Sequence, residues 1–176
     1  MLYIVLLIFI IFFVALSIVY KKRLPQKSDP FIISAKDVNQ DILLELVKIE
    51  KHLYKNGFTR YSIVNLDGPK KNVILFYYYN YVDNIHVFIV YNKGEFIFFI
   101  VTRYKNGKVL VSSSDSKYIK KSLKTMFAYN ESGLSIDNIL KMHKENRKDI
   151  SYEPIEGKLT NKEILKTYNS ISKISG

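Results

Sequence analysis

The sequence predicts an α+β domain carried on an N-terminal transmembrane helix. Three observations carry this reading. An uncharged apolar run extends from Met1 to Tyr20, an apolar stripe at helical spacing runs from Val38 to Tyr54, and from Phe58 the period changes to two, with turn residues at intervals. The expected domain is one helix plus a four- to five-stranded antiparallel meander, with further helices toward the C-terminus. By composition the chain divides into an anchor at 1–20, a basic, Pro-containing juxtamembrane spacer at 21–34 and a soluble domain at 35–176.

Fifteen of the first twenty residues are Leu, Ile, Val or Phe. A helix of that length spans ~30 Å, the thickness of a bilayer core. Tyr3 and Tyr20 fall at the two interfaces, where an amphipathic ring is stable. A helix buried in a protein core would keep a polar stripe, and this one has none. Ala15-Leu16-Ser17 offers the spacing a signal peptidase reads, so a cleaved signal is the competing expectation. Against it, the basic residues Lys21, Lys22, Arg23 and Lys27 follow the apolar run instead of preceding it. The positive-inside rule then places the domain in the cytoplasm, with those four side chains against lipid headgroups. An exported domain on an uncleaved anchor, or after a cleaved signal, is the alternative.

All 27 basic and 16 acidic residues lie after Tyr20, so the formal charge of +11 belongs to the region outside the anchor. The excess is spread along the chain. Only Arg23, Arg60, Arg103 and Arg147 are arginines; the other 23 basic residues are lysines. Nucleic-acid readout leans on the planar guanidinium fork, so nucleic acid is not the expected partner. The lipid bilayer is, with another membrane or cytoplasmic protein as a further candidate. Absence of cysteine fits a reducing compartment. The length after the anchor suits one domain.

Pro25 and Pro30 interrupt the spacer. Val38, Ile42, Leu46, Ile49 and Leu53 then define a helix from about Asp37 to Asn56, stopped by Asn56-Gly57. Turn signals at Asp67-Gly68-Pro69, Asn80 to Asn84, Asn92-Lys93-Gly94 and Asn106-Gly107 delimit five strands, near 59–66, 72–79, 85–91, 95–104 and 108–113. Short turns make consecutive strands neighbours. The segments VILFYYY and FIFFIVT are apolar on both faces, so something must cover the second face of the sheet. Ser135 opens a helix that runs to about Lys148, and Thr160 with Glu163 forms a capping box for another. The basic stretch Lys117, Lys120, Lys121 and Lys124 reads as a charged surface segment.

Chemistry is sparsely signalled. Seven glycines occur without a phosphate-cradling pattern, and His52, His86 and His143 are far apart, so no cofactor, metal site or catalytic set is expected. Two-residue loops at Lys93-Gly94 and Asn106-Gly107, with a three-residue loop at Tyr81 to Asp83, would align Tyr78, His86, Val101 and Ser112 across one sheet face, with Arg103 diagonal to them. An apolar face ending in Tyr78, His86, Arg103 and Ser112 suits a small-ligand pocket. It equally suits any sheet whose core meets solvent. In that row His86 and Ser112 stand two strand spacings apart, ~9.6 Å, too far for a nucleophile–base bond. The expected function is a non-enzymatic binding or scaffold module at the membrane surface; the alternative is a ligand binder or enzyme using that polar end.

The helix ending in KNGF, the strand pair VTRYKNGKVLVSSS and the helix LSIDNILKMHKENR resemble a pattern of uncharacterised bacterial membrane-anchored α+β proteins. The matching positions are Gly57, Phe58, Thr102, Arg103, Asn106, Gly107, Ser112, Ser113, Leu140 and His143, within about 40–150, with Asn106 where the pattern usually has Asp. The resemblance implies an anchored α+β domain and no particular activity. Helix followed by meander also looks like a cystatin-like roll, a shape that hosts many functions.

Overall fold

The computed structural model describes residues 31–67, 73–115, 121–123, 126–130 and 135–172. The expected anchor at 1–20 and the basic flank of Lys21, Lys22, Arg23 and Lys27 lie outside the described residues. No helix among those described is long and apolar enough to cross a membrane.

The domain is α+β. Strand β1 (Phe31–Ile32) leads through a short 3-10 turn (Ala35–Asp37) into α1 (Gln40–Lys55). The meander follows as β2 (Thr59–Asn65), β3 (Val73–Asn80), β4 (Ile85–Asn92), β5 (Glu95–Arg103) and β6 (Val109–Ser113). Beyond it come β7 (Lys121–Leu123), β8 (Met126–Asn130), α2 (Ile136–Lys148) and α3 (Asn161–Ser172). The sheet order is β1-β2-β3-β4-β5-β6-β8-β7, antiparallel except where β8 runs parallel to β6. Helix α1 begins later than the apolar period suggests, because Val38 is extended and Asn39 caps the helix by accepting from Asp41 N at 2.8 Å. It ends at Gly57, whose φ of +78° is costly for any residue with a Cβ.

Each face of the sheet has its own core. On one, Ile42, Leu46 and Leu53 of α1 and Ile136, Ile139 and Leu140 of α2 pack on Ile74, Phe76, Val87, Ile89 and Ile100. On the other, Leu159 and the α3 residues Ile164 and Ile171 pack on Leu75, Tyr77, Phe88, Val101 and Val111. The C-terminal segment therefore supplies the cover that the two-faced apolar strands require. The helix-then-meander order behind the cystatin-like expectation is present, with this added layer on the opposite face. Fully burying one such aliphatic side chain contributes roughly 1.5–3 kcal/mol, so each layer is strongly held.

The Lys93-Gly94 hairpin has the expected two-residue loop, both residues at positive φ, and pairs His86 with Val101. The other two registers differ by one residue from expectation. Asn80 Oδ1 accepts from both Val82 N and Asp83 N, making a four-residue loop that sets Tyr79, not Tyr78, opposite His86. At the next hairpin Gly107, at φ +80°, closes a three-residue loop and sets Val101 opposite Val111, not Ser112. A slip of one residue moves a side chain to the other face.

Candidate functional site

These registers divide the expected row of four. Tyr78 and Ser112 lie on the face covered by α1 and α2; His86 and Arg103 lie on the face covered by α3. The polar end of the sheet is thus two separate groups, back to back.

Tyr78 belongs to a cluster around Glu50 of α1. Its hydroxyl donates to Glu50 Oε1 at 2.8 Å, Tyr54 OH donates to the same oxygen at 3.0 Å, and Arg60 Nη1 approaches it at 2.9 Å. Glu50 is buried, so the Arg60 guanidinium and two phenols replace the water its carboxylate has lost. Burial first, and then the Glu50 charge, push the Tyr78 phenol far above its ordinary range. Sequence reasoning missed Glu50. Its signal is present: it sits four residues after Leu46 and three before Leu53, a carboxylate on the apolar stripe.

Ser112 meets a different histidine. His143 of α2 takes Ser112 Oγ at Nδ1 and Thr102 Oγ1 at Nε2, both at 2.9 Å. Thr102, Ser112 and His143, separate positions within the family-like pattern, form one hydrogen-bonded unit. A neutral imidazole with one N–H and one lone pair is satisfied by two hydroxyls, one donating and one accepting. Burial lowers the His143 pKa to about 3, helped by Arg147, and keeps the ring neutral. His143, Thr102 and Ser112 are all fully buried. Enclosed in this way, the unit fastens α2 to β5 and β6.

His86 is built into the other core. Tyr77 OH lies 2.9 Å from its Nδ1 and also accepts from Leu159 N at 2.9 Å. Tyr79, stacked on the imidazole at 4.9 Å, donates to Asn84 Oδ1 and accepts from Gly157 N. Both phenols thereby tie the segment before α3 to the sheet. The Tyr77 hydroxyl, which accepts from Leu159 N, shares one hydrogen bond with His86 Nδ1 whose donor is set by the imidazole tautomer. His86 Nε2 is buried without a hydrogen-bond partner among the described residues. Burial, then the nearby Arg103, lower the His86 pKa to about 3. Arg103 approaches Glu163 at 3.5 Å beside a cavity of about 240 Å³ that also touches Lys166, Thr167 and Ser170.

At the opposite end of the sheet, the start of α1 and the Lys93-Gly94 hairpin border an open groove of about 800 Å³, with Val38, Ile42, Ile74 and Tyr91 along its floor. The described residues hold no cluster of three or more metal-ligating side chains. Of the basic stretch 117–124, Lys117, Lys120 and Lys124 lie outside the described residues, and Lys121 opens β7.

No family model, no curated protein and no solved structure matches this chain.

Proposed function

We infer that this protein is a single-pass, membrane-anchored binding module whose domain works without chemistry of its own at the cytoplasmic surface of the bilayer. The observation that supports this best is how its chemistry-bearing core groups are used. Glu50, His86 and His143 are at most 6% exposed, and each is bonded to residues that hold a helix or the C-terminal segment on the sheet. The uncharged run at 1–20 and the basic flank behind it supply the anchor and its direction.

Two measurements test the reading together. Alkaline carbonate should leave the protein in the membrane pellet, and a reporter joined after Gly176 should work only as a cytoplasmic one. Release by carbonate would remove the anchor, and activity from an exported-state reporter would reverse the orientation.

A second reading, a small-ligand site, is favoured by the cavity at Arg103 and by His86 Nε2 on the same face, which has no hydrogen-bond partner among the described residues. A thermal-shift screen of small carboxylates and phosphates would select it if the wild type, but not Arg103→Ala, gains Tm.

A further inference from the structure

Helix α1 carries more apolar surface than its core stripe uses. Leu44, Val47 and Tyr54 are 66%, 46% and 49% exposed, whereas Ile42, Leu46 and Leu53 are buried. With Lys51, these three recur at spacings of three, four and three along one outward stripe. Lys48 and Lys55, also exposed, flank it. The carboxylates of the helix lie off this stripe, Asp41 bordering it beside Lys48. Glu50 is buried against Arg60 and Tyr78, while Asp41 and Glu45 fall on the side of His52, which meets Asp137 of α2 at 2.6 Å. The stripe itself is therefore apolar and cationic, and the exposed Asp41 and Glu45 lie beyond Lys48 on its α2 side, leaving the three lysines in excess. This is the segregation that an interfacial helix shows on an anionic lipid surface. Tyr54 suits such a plane, since its ring is exposed while its hydroxyl stays bonded to Glu50.

The position of this face agrees with its charge. Glu50 joins Tyr54 to Arg60 of β2, so the stripe lies toward the β2 edge of the sheet, away from α2. Strand β1, outermost on that edge, is where the chain arrives from residues 1–30. Resting on the membrane-anchored reading above, we propose that the outward face of α1, centred on Val47 and Lys51, docks on anionic phospholipid of the bilayer holding the anchor. The domain then lies with its β1 edge against the headgroups, and the lysines make docking sensitive to lipid charge and salt. Each lysine contributes roughly a fivefold preference for the docked state near an anionic surface.

The full chain has no cysteine, so single labels can be placed cleanly. Val47→Cys and, on the opposite sheet face, Lys162→Cys carry an environment-sensitive fluorophore in vesicles of brominated phosphatidylcholine with or without phosphatidylglycerol. Quenching is expected at 47 with phosphatidylglycerol, weakly in neutral vesicles, and not at 162. Lys48→Gln, Lys51→Gln and Lys55→Gln combined should lower the docking constant roughly a hundredfold, with the far-UV spectrum unchanged. An unquenched label at 47, in protein that stays in the vesicles through an alkaline wash, overturns the docking and leaves the anchor standing. Loss of the protein from the vesicles overturns both. Equal quenching at 47 and 162 means unspecific adsorption, and a concentration-dependent blue shift of the 47 label in detergent means a second copy occupies the face; either overturns the proposal.

Discussion

Two buried, neutral imidazoles make the stability of the fold sensitive to acid. His86 and His143 titrate near pH 3 when folded, below the ordinary value of 6.5. A folded pKa lowered in this way leaves the unfolded chain holding more protons, so stability is full above about pH 6.5 and is lost as pH falls toward the folded values. Each histidine should contribute a slope of up to about 1.4 kcal/mol per pH unit across that window. Urea titrations at pH 7.5 and 5 check this, and His143→Gln should flatten the difference while lowering stability at both. Glu50 gives a second test. Glu50→Ala leaves Arg60, Tyr54 and Tyr78 without their shared acceptor and should cost about 3–5 kcal/mol. Glu50→Gln, which keeps an acceptor oxygen, should cost less.

Among the elements, the hairpins decide which residues meet. Gly57→Ala should destabilise the domain by more than 1 kcal/mol, since φ is +78° and an added Cβ would stand 3.3 Å from Asn80 Nδ2. The same Asn80 side chain holds the loop that moved the β3–β4 register, so thermal unfolding of this variant also reports on that loop. Helix and strand positions were legible because hydrophobic period reports burial directly: α1, the five meander strands, α2 and α3 all appear within a few residues of their expected spans. Loop length was not. Whether Asn106-Gly107 is the whole loop or its last two residues depends on a backbone hydrogen bond from Gly107 N to Tyr104 O, which composition does not encode. From that one residue it follows that Ser112 shares its face with His143 and not with His86. Strand β8 also escaped notice, because its partner β6 lies across a parallel crossover instead of a short turn.

For the whole molecule, the three layers make α3 the closure of the second core. Ile164→Ala should cost about 2–4 kcal/mol, read as a drop in the urea midpoint, because Ile164 is buried among the side chains of that face. The proposal gives the predicted anchor and the lysine-flanked stripe of α1 one partner at two distances. On the membrane-anchored proposal, the apolar run would fix the chain in the bilayer and the lysine-flanked stripe would govern how the domain leans on it.

The position of α3 at the end of the described chain has a consequence for biosynthesis. When β6 has left the ribosome, the face bearing Tyr77, Tyr79, His86 and Phe88 is complete but bare, and its cover is still being made. At roughly 5–20 residues per second, the 59 residues from Ser114 to Ser172 take about 3–12 s to emerge. During that interval the nascent domain presents an aromatic sheet to chaperones and proteases. A ribosome stalled before Leu159 would leave a product that is a substrate for degradation instead of a shortened working protein.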